Sequence, residues 1–339
     1  MEQNKIEDPI HRAGLFTMAL RWVVGWTYFS AFWRRLVLDN KLIPEEAGYI
    51  GEKFNHFLPN ALGIKPLIEY LVENPDALQT AMVAFTLVEA IVGLFLILGL
   101  FSRLMSIGVF FLALGILLGS GWLGTTCLDE WQIGVLGVAS GFTLFLTGSG
   151  PYSIDHSPKI KSLGISSRKW FQFISSGEIQ TTKLGPKVLI GSIAILGLTL
   201  YTNQFFHGGV WGNLHNKSVK PKVEISNIQY DGTELTFQLF RVEGADVYGS
   251  FLIGMEIRDE RNRAIKTISQ EELANFPMED IENRYVAKIK PGEHSLILPL
   301  GAKAEISLDV DSLSPGSVHR LILTDISGIQ WEAEFRSGT

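Results

Sequence analysis

The chain has 339 residues, of which 46% are hydrophobic and only 19% charged, with a formal net charge of −6. That balance is too apolar for an ordinary soluble protein of this size. The single cysteine, Cys127, excludes an internal disulfide, a cysteine-ligated iron–sulfur cluster and a Cys-x-x-Cys-His haem attachment. No metal-ligand spacing, dinucleotide fingerprint or flavin signal is present, and no nucleic-acid partner is expected.

In chain order, five apolar stretches approach or exceed the roughly 20 residues needed to cross a bilayer as a helix. They lie at about 13–38, 78–101, 104–122, 132–149 and 186–206. The first follows a polar, acidic segment without a small-residue cleavage site, so a removed signal peptide is not expected. The chain therefore reads as a multi-pass membrane protein. Lys159, Lys161, Arg168, Lys169, Lys183 and Lys187 enrich the connection between the fourth and fifth stretches, and Arg103 marks the loop between the second and third. Glu45, Glu46, Glu52, Glu69, Glu73 and Asp76 dominate the 40–77 loop instead. By the positive-inside rule the N-terminus is cytoplasmic, and five spans place the C-terminal part outside. Gly115, Gly119, Gly134, Gly137 and Gly141 at small-residue spacing read as helix-packing positions.

The first span, "LRWVVGWTYFSAFWRRLVL", places Arg21, Gly25, Tyr28, Phe32 and Arg35 on one helical face. Trp22, Trp26, Phe29 and Trp33 form the adjacent stripe. Arg21 lies about 6 Å from mid-span at 1.5 Å per residue. A charge at that depth needs a partner, and Glu89, near the middle of the second span, is the expected one. This pair reads either as a structural ion pair or as a polar site with a proton route. Arg34 and Arg35, at the far end of the span, read as headgroup contacts or as an anion-docking pair, since guanidinium presents paired N–H donors. Because consecutive residues on a helix diverge by about 100°, only one of them follows the Arg21 face, and Arg35 is that one.

"GWLGTTCLDEW" carries Cys127 and Asp129 in a short polar connection between two spans. Cys127 reads either as a buried small hydrophobe or as a reactive thiol, with Asp129 raising and any nearby arginine lowering its pKa. His207 and His215, in "FFHGGVWGNLHNKS", are eight residues apart and form no recognisable metal motif. They read as a glycine-rich linker or as substrate contacts. Beyond residue 216 the composition turns polar. "KVEISNIQY", "TELTFQLFRV", "SFLIGMEIRD" and "HRLILTDI" read as strands, with "DG" and "PGEH" as turns. "SQEELANF" reads as one short helix with Ser269 and Glu272 in a capping box. About 120 residues of this kind predict a small β-sandwich.

The segments "RWVVGWTYFSAFWRR", "GSGWLGTTC" and "GSGPYSIDH" resemble the DoxD part of thiosulfate:quinone oxidoreductase. The last is similar to the Gly-x-Gly-x-x-Ser-x-Asp signature of the wider DoxX-like four-helix membrane family. "GVWGNLHNKSVKPKVEIS" and the strands after it resemble the DoxA subunit. The resemblance covers nearly the whole chain as a DoxD–DoxA fusion. It implies a four-helix DoxX-like membrane domain over 1–150, a cytoplasmic connection over 151–185, a fifth transmembrane helix over 186–206 and an extracytoplasmic DoxA-like β-sandwich over 207–339. It further implies oxidation of thiosulfate to tetrathionate in a bacterial cytoplasmic membrane, with a diffusible quinone as electron acceptor and no metal, haem or flavin. Membrane lipid, a small sulfur oxyanion and quinone are then the partners, and a homo-oligomer is compatible with this reading. The family supplies no residue roles; the residues themselves make Cys127 and Asp129 the catalytic candidates, Arg35, Arg34, His207 and His215 the substrate contacts, and Trp22, Trp26, Trp33 and Tyr28 the quinone wall. The competing reading is a non-enzymatic DoxX-like module that transports a small sulfur oxyanion or scaffolds a partner.

Overall fold

The computed structural model describes residues 9–44, 46, 48–124, 129–177, 184–246, 249–311 and 313–337. The N-terminal region is helical: α1 (Pro9–Phe16), α2 (Met18–Phe32), α3 (Glu52–Phe57), α4 (Lys65–Glu73), α5 (Pro75–Leu98), α6 (Ser102–Ser120), α7 (Asp129–Thr147), α8 (Pro158–Lys161), α9 (Lys169–Ile174) and α10 (Leu184–His207). A π-helical stretch, Trp33–Leu38, continues α2. Among the described residues, α5, α6 and α10 are long and apolar enough to cross a membrane. They fall on the expected second, third and fifth spans. The expected first and fourth spans are helical but do not meet that measure. The first is divided at Thr17 into helices of 8 and 15 residues, and α7 opens on the polar Asp129, Glu130 and Gln132.

Local chemistry sets the helix ends. Pro75 fits the first turn of α5, where its missing N–H is not needed, and Asp76 sits at the positive end of the dipole. Gly99, at φ +67°, then closes α5 in the left-handed conformation glycine tolerates best. Close packing follows the small residues. Gly25 of α2 abuts Gly93 and Ile97 of α5, while Gly134, Gly137 and Gly141 of α7 lie on Leu117, Ala113 and Phe110 of α6. Gly115 is a correction to the expected packing set, because open space surrounds it.

The rest of the chain is all-β, with strands β1 (Lys222–Tyr230), β2 (Glu234–Glu243), β3 (Ser250–Arg258), β4 (Ala264–Ile268), β5 (Ile281–Asn283), β6 (Lys290–Pro291), β7 (Leu296–Leu298), β8 (Lys303–Asp309), β9 (Val318–Asp325) and β10 (Gln330–Arg336), and one helix, α11 (Gln270–Ala274). Two antiparallel sheets form, one ordered β1-β2-β8-β5 and the other β10-β9-β3-β7-β6, with β4 beside β3. Alternation along β8, where Ala304, Ile306 and Leu308 are buried between half-exposed neighbours, turns one face to the core. That core gathers Phe237, Leu239, Leu252, Ile257 and Leu321. The capping box on α11 is present, with Ser269 and Glu272 each bonding the other's backbone N–H.

Packing divides the chain into two compact units that do not follow sequence order. The described residues of Gly51–Leu78 and Trp122–Leu128 belong with Asn216–Thr339, and the other helices form the second unit. Leu58 from the turn after α3, and Ile68 and Val72 from α4, pack with Tyr285. Asn55 is fully buried; its amide donates to the Gly301 carbonyl at 3.1 Å and its oxygen accepts the Ala287 N–H at 3.1 Å. The Trp122 indole donates to the Phe57 carbonyl at 3.2 Å.

His56 is buried in the same unit, 3.8 Å from Asp246, which Lys53 holds at 2.8 Å. Burial, helped by Lys53 and Arg241, pushes the imidazole down to about 4 despite Asp246. The folded state therefore keeps His56 neutral where the unfolded chain protonates it near 6.5. Stability is complete above about pH 6.5 and falls as pH drops toward 4, by about 3 kcal/mol in total. Unfolding of the unit followed across that range should show the loss, and His56→Gln should flatten it. An unchanged slope in that variant would remove His56 as the cause.

Candidate functional site

The antiparallel register of α2 and α5 decides which polar groups meet. Arg21 reaches the last turn of α5, where its guanidinium donates to the carbonyls of Leu96 at 3.1 Å and Ile97 at 3.2 Å, and to Tyr152 at 2.8 Å. It caps a helix C-terminus, where unsatisfied carbonyls and the dipole favour a cation. The expected Arg21–Glu89 pair is therefore corrected. Glu89 lies seven residues before Leu96, about 11 Å away along the axis at 1.5 Å per residue. Its partner is Arg35, which donates to the Glu89 carboxylate. Glu89 is buried at 3% exposure while the Arg35 side chain keeps 22%. Arg35 also lies over the Phe85 ring, 5.9 Å from its centroid.

Arg34 is exposed, and its Nε donates to the Ser30 carbonyl at 3.3 Å. The two arginines thus diverge as the helical rotation requires. The aromatic wall is a second correction. Tyr28 is buried on the inward face with Arg21 and Gly25, whereas Trp22, Trp26 and Trp33 are 47%, 57% and 40% exposed on the outward face. One wall cannot hold all four.

Beside the Arg35–Glu89 pair is a recess of about 270 Å³ lined by Leu36, Asn40, Leu42, Gln79, Val83 and Thr86, among others. Asn40 accepts the Leu42 N–H at 3.2 Å, and Gln79 donates to the Leu42 carbonyl at 2.7 Å. Thr86 is buried, and its hydroxyl has no partner among the described residues. It sits one helical turn from Glu89. A second recess, of about 240 Å³, lies among Phe110, Phe111, Phe142 and Phe145. Its one polar side chain, Ser106, already donates to Ser102.

Other buried charges in the helical unit meet around the "GSGPYSIDH" loop. Arg103, counted above as a loop charge, is 1% exposed. It donates to the carbonyls of Phe145 at 3.1 Å, Gln172 at 3.1 Å and Gly177, which lie in or just after the last turns of α7 and α9. Asp155 accepts the N–H groups of Phe101 at 2.9 Å and Ser102 at 3.1 Å, with the Ser102 and Ser176 hydroxyls at 3.0 Å. It thereby caps the N-terminus of α6. Burial holds its carboxyl above the usual range, although these four donors pull it down.

His207 is buried, with Nε2 2.9 Å from the Gly121 carbonyl at the end of α6 and Nδ1 without a partner among the described residues. His215 is exposed and joins His207 only through the backbone, N–H to carbonyl at 3.1 Å. Among the described residues no hydrogen bond links either histidine to Arg35. Cys127 lies outside the described residues, as does the side chain of Asp129. No group of three or more metal-ligating side chains occurs among the described residues.

Residues 16–182 match the family described as TQO small subunit DoxD, and residues 206–334 match TQO small subunit DoxA. The chain joins a DoxD and a DoxA segment in one polypeptide. Both families are named as subunits of thiosulfate:quinone oxidoreductase, which supports a related, oxidoreductase role. The DoxD match contains α2, α5, α6, α7 and the Asp155 loop, and the DoxA match contains both sheets except the last two residues of β10.

Sequence reasoning missed the Arg103–Asp155 centre and the Thr86 recess. The "GSGPYSIDH" motif was the available signal for the first, since its Asp155 is what organises the helix ends. Removing that charge leaves Arg21 and Arg103 buried without their nearby anion and four donors unpaired. Asp155→Ala should cost about 3–5 kcal/mol, read as a lowered unfolding temperature of the detergent-purified chain. Asp155→Asn, which keeps an acceptor, should lose less. Equal losses would assign the role to the charge alone, which both variants remove, and a nearly silent Asp155→Asn would assign it to packing.

Proposed function

We propose that the chain oxidises thiosulfate to tetrathionate and passes the electrons to a quinone in a bacterial cytoplasmic membrane. The observation that carries this reading is the presence of both TQO small-subunit segments in one polypeptide. On this reading the N-terminus is cytoplasmic and the DoxA segment extracytoplasmic, as the loop charges require. Two thiosulfates form one S–S bond and release two electrons, which with two protons convert one quinone to quinol.

Arg35 supplies the cationic contact. It has five N–H donors and gives only part of them to Glu89, so the rest remain for an oxyanion. A dianion on Arg35 competes with Glu89 for the guanidinium. Glu89 then loses its counter-charge and takes up a proton, which places a proton donor beside the bound quinone. The Asn40–Thr86 recess suits the quinone ring better than the phenylalanine recess. It combines aliphatic walls with an unpaired hydroxyl and lies next to Glu89, whereas the polar group of the other is already engaged.

Cys127 provides the sulfur relay. Its thiolate and one thiosulfate give a Cys–S–S–sulfonate adduct and two electrons for the quinone. A second thiosulfate attacks the adduct, releasing tetrathionate and regenerating the thiolate. This role rests on the sequence position of Cys127 beside Asp129.

Thiosulfate-dependent quinone reduction by the purified chain in detergent tests the whole reading. A module that only transports or scaffolds would reduce no quinone. Losing one charge-assisted contact should raise the thiosulfate KM of Arg35→Gln roughly 10- to 150-fold, and that of Arg34→Gln within a few-fold. Glu89→Gln, which removes the competing carboxylate and the proton donor together, should lower both KM and kcat. The opposite order for the arginines would move anion docking to Arg34.

Cys127→Ser separates relay from packing. Activity should fall by orders of magnitude with normal expression and an unchanged unfolding temperature. Activity within a few-fold of the parent would make Cys127 a bystander.

A further inference from the structure

One end of the β-sandwich carries polar groups that the reaction above does not use. There the β3–β4 turn, residues 259–263, and the segment before β9 enclose a recess of about 480 Å³. His319 of β9 lines it, is 2% exposed, and has no partner at either ring nitrogen among the described residues. Its ring lies 5.6 Å from that of Phe335. The burial pattern of β9 turns this position inward among apolar neighbours. A buried imidazole with both nitrogens unpaired is rare in a folded protein and calls for a partner.

The unused hydrogen-bonding capacity around the recess identifies the sign of that partner. Of its two carboxylates, Asp259 is engaged through both oxygens and Glu260 through one. Asp259 accepts the N–H groups of Arg261 at 2.9 Å and Arg263 at 2.8 Å, and its other oxygen pairs with the Arg263 guanidinium at 2.7 Å. Glu260 accepts the Val318 N–H at 3.0 Å. Three kinds of donor remain. The Arg261 guanidinium is exposed at the rim, and neither it nor the Ser314 and Ser317 hydroxyls meet a partner among the described residues. His319 adds a ring N–H. Arg261 and Glu260 balance in charge, so the preference is set by the converging donors, a guanidinium, two hydroxyls and a ring N–H, which match a small anion with several oxygens.

We propose that this end of the DoxA sandwich is a second binding site, for a small tetrahedral oxyanion, held by Arg261, Ser314, Ser317 and His319. Sulfate and the sulfonate ends of thiosulfate and tetrathionate share the chemistry that these donors recognise. The site is independent of the Arg35 centre, and it stands or falls separately from the quinone-reducing reading.

Calorimetric titration of the full-length Arg35→Gln chain in detergent tests it, with sodium sulfate, thiosulfate and tetrathionate as separate probes and chloride fixing the ionic strength. At least one probe should bind with one anion per chain. Arg261→Gln, an exposed substitution that leaves the core untouched, should weaken binding at least tenfold. His319→Phe keeps an aromatic ring against Phe335 and should weaken it comparably. Binding of sulfate as well as the sulfur probes supports a general oxyanion site, and binding of thiosulfate and tetrathionate alone supports one selective for sulfonate ends bonded to sulfur. No saturable binding of any probe, or affinities unchanged within twofold in Arg261→Gln, overturns the proposal. In the parent chain, Arg261→Gln should leave quinone reduction intact. A parent without quinone reduction whose Arg35→Gln form still binds an anion through Arg261 would refute the enzymatic reading and leave this site standing.

Discussion

Buried charge at helix ends organises the helical unit. A helix leaves four carbonyls and four N–H groups without internal partners, and in hydrocarbon no water is present to take them. Arg21 serves the end of α5, Arg103 the ends of α7 and α9, and Asp155 the start of α6. Each charge is also held by the partial charge of a helix dipole, so three ionised groups persist where isolated ones would not. Asp155 acts electrostatically on both arginines. The result is a knot that fixes helix directions at one end of the unit, from which the positions of residues farther along α2 and α5 follow.

The Arg35–Glu89 pair is one such consequence. With Arg21 locked at Leu96 and Gly25 against Gly93, the antiparallel register leaves Arg35 facing Glu89. The geometry of the candidate centre is thus inherited from contacts about one to four turns away. Rigid elements hold functional groups more accurately than loops do, and here both partners lie on helical backbone.

The β region was legible because its signals are local. Alternation over "KVEISNIQY" marks β1 from its first residue to its last, and the Ser269–Glu272 box marks the first turn of α11. In the helices, the facing of Arg21, Tyr28 and the tryptophans also followed from the 3.6-residue period within one element. What the sequence did not contain was the register between elements. Arg21 and Glu89 each stood in an apolar run, and depth along one helix says nothing about which residue of its neighbour lies opposite. Arg103 failed for a related reason: a charge at the edge of a span looks solvated until the segments that bury it, here around Gln172 and Gly177, are placed. The Thr86 recess has no motif at all, because an unpaired hydroxyl is defined by its surroundings.

The inclusion of α3 and α4 in the unit built by the C-terminal strands bears on the order in which the chain acquires structure. Asn55 bonds Gly301, 246 residues later. At about 5–20 residues per second, synthesis separates the two by roughly 12–50 s. During that interval Leu58, Ile68 and Val72 lack Tyr285, which completes their cluster, and Ala287 has yet to reach Asn55. The 51–78 segment therefore waits as an unfinished surface while the later helices are made. Its closure is a late, long-range event that follows synthesis of almost the whole polypeptide, and contacts of such sequence separation are the slow ones to form.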